Sequence, residues 1–398
     1  MPSYTYLIVG GGMTAASAVN GIREVDPRGS IGLLGAEEHP PYDRPPLSKK
    51  LWKGESPDTI WRHVESPTVT LHLGRTARHL DPQNKRLTDD QGTTYDYGKL
   101  LLATGGTPRR LPFGGNEQII YYRTFADYQR LRALTQTGQQ FVVIGGGFIG
   151  SEVAAALAIN GRKVAIVIPD AGVCSRLFPS DLVNFLNDYY RQKGVEVLTG
   201  QRVTGIEERS GRSVVRMANS QGQGEREILA DGVVAGIGIE PNVALARQAG
   251  IDVDNGIRVD AALRTSLPDI FAAGDVANFH NPALGKRLRV EHEDNANTMG
   301  RQAGQSMAGK PVNYDHLPFF YSDMFDLGYE AVGEIDARLE TVADWKEPHR
   351  EGVVYYLHDG RVRGVLLWNV WEQVEAARKL IAEPGPFAPA ALKGRLPA

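Results

Sequence analysis

Short apolar runs alternate along this chain with segments whose apolar residues recur at helical spacing. Tyr4 to Val9, Ile31 to Leu34, Lys99 to Ala103, Phe141 to Ile144 and Ile270 to Ala273 are near-continuous apolar runs. That is the pattern of strands covered on both faces of a parallel sheet. Between them the period changes to that of helices, over about 126–134, 151–159, 180–193 and 294–307. A further strand is expected at 163–168, with others near 195–217. Between Thr68 and Asp96 short strands are separated by turn residues such as Asp89-Asp90-Gln91-Gly92. Beyond Leu317 the text is β-rich, at Tyr329 to Ile335, Gly352 to Leu357 and Val362 to Trp368. An amphipathic helix is expected last, on Val370, Trp371, Val374, Ala377, Leu380 and Ile381. The Pro-, Gly- and Ala-rich tail Pro384 to Ala398 reads as a surface wrap or frayed end.

Two glycine turns interrupt this pattern, Gly10-Gly11-Gly12-Met13-Thr14-Ala15 and Gly145-Gly146-Gly147-Phe148-Ile149-Gly150. Each follows an apolar strand and opens a small-residue helix, which is the context a dinucleotide fingerprint requires. Gly10 and Gly145 make the tight turn, and Gly12 and Gly147 let the backbone approach a pyrophosphate. Ala15 and Gly150 pack helix on strand. The helix N terminus supplies unpaired N–H groups to the phosphates. Two such turns in one chain point to two dinucleotides, and so to an enzyme passing hydride from NAD(P)H to FAD. Linker signals at Pro108 to Gly115 and Gly236 to Asn242 suggest that one nucleotide unit is inserted into the other. The expected class is α/β, with two Rossmann-like domains and a smaller β-rich α+β C-terminal domain. The expected boundaries are 1–112 plus 238–313 for FAD, 113–237 for NAD and 314–398 for the last.

A length of 398 residues fits two or three domains. The 44 basic and 47 acidic residues are interspersed, with no block of one sign, so nothing suggests a nucleic-acid or membrane-surface partner. No apolar run approaches a membrane span. The first strand begins almost at Met1, which leads us to expect no signal or transit peptide and a cytoplasmic protein. Cys174 is the single cysteine, so an intrachain disulfide, a dithiol relay and a thiolate metal cluster are excluded. Its expected role is that of a small packing residue.

Five stretches together resemble one family: Gly10 to Ala15, Tyr42-Asp43-Arg44-Pro45-Pro46-Leu47-Ser48-Lys49, Ala103-Thr104-Gly105-Gly106-Thr107-Pro108-Arg109, Gly145 to Glu152, and Ala273-Gly274-Asp275. In that order they resemble the flavoprotein disulfide reductase superfamily, in its apoptosis-inducing-factor and oxygenase-coupled ferredoxin reductase branch. Arg289 to Asp294 and Tyr321-Ser322-Asp323 favour the apoptosis-inducing-factor side.

The resemblance implies roles. Glu37 accepts from the adenosine ribose of FAD, with Glu38 as the alternative. Asp275, after Gly274, bonds the ribityl chain, and the helix that follows turns its positive end to the flavin. Lys49 sits beside flavin N5 and pairs with Glu152, while Arg44 contacts the flavin or its phosphates. Phe148 covers the flavin face where nicotinamide must stack. His292 lies on the other side, Glu291 contacts the carboxamide, and Tyr321 lines the flavin edge with Phe319 and Phe320. Ala103, Thr104, Gly105 and Gly238 complete the cofactor set. Ile168 stands where an acid is usual, and the acid is shifted to Asp170. A carboxylate there accepts from a ribose 2′-hydroxyl and repels a 2′-phosphate, which favours NADH over NADPH. Arg162, Lys163 and Arg176 lie nearby.

The implied activity is an NADH oxidoreductase that moves hydride to flavin N5 and electrons on to a ferredoxin-type protein or a quinone-like molecule. The competing reading is an NADH-responsive binding protein with a long-lived reduced flavin–NAD charge-transfer complex. For it the resemblance implies a homodimer, with Asp252 and Arg258 near the contact. A dedicated NADH oxidase is disfavoured, because no Cys accompanies the Arg44–Lys49 loop.

Overall fold

The computed structural model describes residues 1–113 and 117–397. Gly114 and Gly115 of the expected first linker, and Ala398 of the tail, lie outside the described residues. The chain divides into two compact units. One comprises 1–43, 57–107 and 240–319, and the other comprises 44–56, 108–239 and 320–398.

The first unit is built on a sheet whose parallel strands run Val69–Leu73, Ile31–Gly35, Ser3–Val9 and Thr94–Leu102. The last of these has two partners. Its first half pairs antiparallel with Arg86–Asp89, while Leu100 to Leu102 pair in parallel with Ile270–Ala272. Leu7, Ile8, Leu33, Leu100 and Leu101 are wholly buried, as their unbroken apolar runs require. Helix Met13–Arg23 packs along helix Glu293–Met307. Gly300 makes that crossing close, since a Cβ on it would stand 2.4 Å from the Thr14 carbonyl oxygen.

The second unit holds a five-stranded parallel sheet in the order Val195–Thr199, Lys163–Ile168, Gln140–Ile144, Gly232–Ala235 and Ile119–Tyr121. Its helix Phe125–Thr137 begins with a capping box between Thr124 and Asp127, and is longer than the expected 126–134. Helix Phe148–Ile159 starts on the second glycine turn, three residues before its expected start. An antiparallel ribbon of three strands, Gln201–Arg209, Arg212–Asn219 and Arg226–Ala230, is attached. The same unit carries a five-stranded C-terminal sheet in the order Phe319–Met324, Leu327–Gly333, Arg361–Trp368, Glu351–His358 and Glu340–Glu347. Helix Val374–Ala382 packs on its second and third strands.

One element differs from expectation. Val370 and Trp371 lie before the last helix, which starts at Val374. Asn369 and Glu372 both take positive φ, which breaks any helix across this stretch. Val370 is buried there, while Trp371 stays half exposed. The tail is a wrap: Leu392 and Leu396 are buried, and the Leu396 N–H donates to the Tyr355 hydroxyl at 3.2 Å.

Candidate active site

In the first unit, strand Ser3–Val9 ends at Gly10, whose φ is +130°. A Cβ there would lie 2.0 Å from the Ala103 carbonyl oxygen, so the turn admits only glycine. Gly12 is the N-cap of helix Met13–Arg23 and supplies no side-chain cap. A Cβ on Gly12 would meet nothing within 4 Å. The helix therefore ends in open space, with its first N–H groups lacking a cap from that side chain. This is the cradle a pyrophosphate fits. Met13, Thr14 and Ala15 follow as the first buried turn.

Glu37 lies two residues beyond strand Ile31–Gly35 and accepts from the Tyr42 hydroxyl at 2.5 Å. Glu38 is more exposed. The Thr104 hydroxyl donates to the Asn242 carbonyl at 2.8 Å, and the Asn242 amide donates back to the Thr104 carbonyl at 2.9 Å. The Gly105 carbonyl accepts from the Asn242 N–H. Gly274 and Asp275 form a 3-10 turn after strand Ile270–Ala272, with Gly274 against the Thr14 side chain. His292 is the N-cap of the 15-residue helix Glu293–Met307 and makes no side-chain cap bond. Glu291 pairs with Arg289 at 2.7 Å.

Arg62, which belongs to none of the motifs, donates to Asp43 at 2.5 Å, to the Met13 carbonyl at 3.3 Å and to Asn297 at 2.7 Å. It ties the Asp43 end of the proline-rich loop to the first glycine turn. Nothing in its local sequence marks it.

In the second unit the same device recurs. Gly145 has φ +102°, and Gly147 caps helix Phe148–Ile159 with no side chain and open space above it. Ile149 is exposed, and Gly150 packs against the Gly145 carbonyl. The Phe148 ring lies edge-on to Phe320, 5.1 Å between centroids. Asp170 follows strand Lys163–Ile168 and pairs with the exposed Arg176 at 2.9 Å. The Gly238 carbonyl accepts from the Arg109 N–H at 2.9 Å.

The loop Arg44 to Ser56 packs in this unit. Trp52 Nε1 and the Tyr122 hydroxyl both donate to the Leu47 carbonyl, at 2.8 and 2.5 Å. Arg44 donates to the Arg123 carbonyl at 2.7 Å. So anchored, the loop presents Lys49 to Glu152. Lys49 Nζ stands 2.5 Å from Glu152 Oε1, and the two residues are 9% and 3% exposed. The Ser48 hydroxyl donates to Oε2 at 2.5 Å and the Ser322 hydroxyl to Oε1 at 2.6 Å. The ion pair is expected from the sequence, whereas Ser48 and Ser322 stand there only as members of motif stretches, with no role of their own. Ser48 was legible as the neighbour of Lys49, whereas Ser322 lies 170 residues from Glu152. The Lys49 ammonium also lies 5.3 Å from the Tyr321 ring centroid.

Cys174 is buried behind the glycine turn, and its N–H donates to the Gly146 carbonyl at 2.7 Å. Burial pushes its thiol up to about 12, so it stays protonated and serves as packing.

Two capless glycine turns in one chain are the decisive geometry, and the family comparison agrees with them. The model for pyridine nucleotide-disulphide oxidoreductases matches residues 4–300. This chain belongs to that family. A second model, the C-terminal domain of mitochondrion-associated apoptosis-inducing factor, matches residues 303–351 and 344–383.

Among relatives, the chain is 35% identical over 396 residues to the 5,5'-dehydrodivanillate O-demethylase ferredoxin reductase subunit of Sphingobium sp.. That match covers 96% of this chain and 94% of the relative. It is 34% identical to the ferredoxin–NAD(+) reductase component of the anthranilate 1,2-dioxygenase system of Burkholderia cepacia, over 96% and 95% of the two chains. A similar solved structure is the covalent putidaredoxin reductase–putidaredoxin complex, with a TM-score of 0.89, 29% identity, and coverage of 98% of this chain and 95% of that one. The fold is that of two dinucleotide-binding domains and a β-rich C-terminal domain, and the family's cofactors are FAD and NAD(H). No helix among the described residues is long and apolar enough to cross a membrane.

Proposed function

We propose that this protein takes hydride from NADH onto FAD and delivers the electrons to a ferredoxin-type protein. The observation that carries this is the pair of glycine turns, each opening a helix with no side-chain cap. The relatives named as ferredoxin reductases over nearly their whole length supply the acceptor class. FAD, when bound, supplies the chemistry of converting a two-electron hydride into single electrons.

The residues then divide the work. Gly10, Gly12, Met13, Thr14 and Ala15 hold the FAD pyrophosphate, and Glu37 holds the adenosine ribose. Ala103, Thr104, Gly105, Gly274 and Asp275 bind the remainder of FAD, with Arg44. Gly145, Gly147, Ile149 and Gly150 hold NADH, and Gly238 completes the cofactor set. Phe148 gates the nicotinamide, Glu291 contacts its carboxamide, His292 and Tyr321 border the flavin, and Lys49 with Glu152 serves N5. Asp170 selects NADH by accepting from the ribose 2′-hydroxyl. The boundaries we assign are 1–112 plus 238–313, 113–237 and 314–398, and the compartment is the cytoplasm.

The test is turnover with an NADH-to-ferredoxin couple on protein carrying one FAD per chain. NADH must outperform NADPH, and a ferredoxin must outperform oxygen. Protein purified without flavin, and unable to bind it, would refute the proposal.

The match of the C-terminal region to the apoptosis-inducing-factor model favours a second reading, an NADH-responsive homodimer. Asp252 and Arg258 are exposed on one turn, where the Arg258 N–H donates to the Asp252 carbonyl at 3.0 Å. Sedimentation before and after NADH addition separates the two. A change of mass with slow turnover on every acceptor supports the second.

A further inference from the structure

Glu152 is buried, carries one ammonium on Oε1, and accepts two hydroxyls besides. A buried carboxylate needs such donors, because desolvation favours its neutral form. Ser48 comes from the same loop as Lys49, so it cannot be separated from the pair. Ser322 comes from strand Phe319–Met324 of the C-terminal sheet, and is itself wholly buried. Its hydroxyl shares Oε1 with Lys49.

We propose that Ser322 is a positioning residue: together with Ser48 it holds Glu152 as a carboxylate, so that Lys49 stays a fixed ammonium. This rests on the reading that Lys49 and Glu152 serve the flavin. A neutral Glu152 would leave the Lys49 ammonium buried without its counter-ion, free to leave its place.

The surroundings make the effect readable. Among the described residues, the other titratable groups facing Glu152 are Tyr122 and Cys174 from two loops, Tyr190 from helix Ser180–Gln192 and Tyr329 from strand Leu327–Gly333. Burial raises all four, so none changes charge at acid pH. The exposed Lys53–Asp323 pair lies at 3.8 Å on the outer side of the same strand and loop. The Tyr329 hydroxyl lies beside Ser322 without a full hydrogen bond. It therefore offers a control that removes a nearby hydroxyl without removing a donor to Glu152.

The experiment has two readouts on the purified flavoprotein. One is a pH titration of glutamate carboxyls labelled with ¹³C, in which the Glu152 signal is identified by its loss in Glu152→Gln. The other is the pH profile of flavin reduction by NADH. Losing a donor to the charged form favours the neutral form, so protonation must begin at higher pH. Ser322→Ala is expected to move both the carboxyl midpoint and the acid limb of reduction upward by about one pH unit. Ser322→Cys, a near-isosteric weak donor, moves them in the same direction by less. Tyr329→Phe moves neither. An unmoved carboxyl midpoint in folded Ser322→Ala and Ser322→Cys overturns the proposal. The reading beneath it fails separately, if Lys49→Met reduces its flavin at the parental rate while the midpoint still responds to Ser322.

Discussion

The Lys49–Glu152 contact shows how much one residue can carry. A buried ion pair adds little net stability, but removing one partner leaves a bare charge that costs about 3–5 kcal/mol. Lys49→Met alone is therefore expected to destabilise the second unit by that amount in urea unfolding. The double variant Lys49→Met/Glu152→Gln should recover most of it. Equal losses in the single and double variants would show that the pair is not energetically coupled. Asp170 makes a second prediction. It already has a cation, Arg176, at 2.9 Å. On the role proposed for Asp170, Asp170→Ala would remove the repulsion toward a 2′-phosphate and free Arg176 to meet one. KM for NADPH should fall about tenfold or more, the scale of one charge-assisted hydrogen bond. The Lys49–Glu152 pair was legible in the sequence because both of its residues sit at fixed offsets from a motif. Arg62 and Ser322 were not. Each acts across more than a hundred positions, Arg62 on Asn297 and Ser322 on Glu152, and only folding brings such partners together.

Elements followed the apolar pattern wherever burial was two-sided. Strands Gln140–Ile144 and Lys163–Ile168 lie within a residue of expectation, since runs of four and five consecutive apolar positions admit few alternatives. The last helix began late because Asn369 and Glu372 take positive φ, and neither residue type announces this. Its apolar spacing still held from Val374 to Ile381, where Ala377, Leu380 and Ile381 are buried. The crossing of helices Met13–Arg23 and Glu293–Met307 was not foreseen, although its glycine is visible in the sequence. Gly300→Ala would place a methyl 2.4 Å from the Thr14 carbonyl oxygen, and Thr14 belongs to the first glycine turn. We expect a loss of about 1–3 kcal/mol, the usual scale of overpacking. Flavin should also be released at a lower temperature than from the parent, followed by its fluorescence. Unchanged flavin retention would mean that the helices can part without disturbing the turn.

For the whole molecule, the duplicated strand–turn–helix was the strongest signal, because its chemistry is local and each copy lies within a few residues. What the sequence concealed is the allegiance of the loop 44–56. It interrupts the first unit in sequence but packs in the second, through Trp52 and Tyr122 on Leu47. Loops joining distant parts carry no period, so pattern cannot assign them. On the proposed reaction, NADH reduces bound FAD and a one-electron protein acceptor discharges it. Anaerobic stopped-flow spectroscopy tests this most directly, mixing the yellow protein first with NADH and then with oxidised ferredoxin. Fast loss of the flavin absorbance is expected, and fast return on the second mixing, faster than with oxygen. A reduced state with a lasting long-wavelength band that ferredoxin leaves untouched would contradict it.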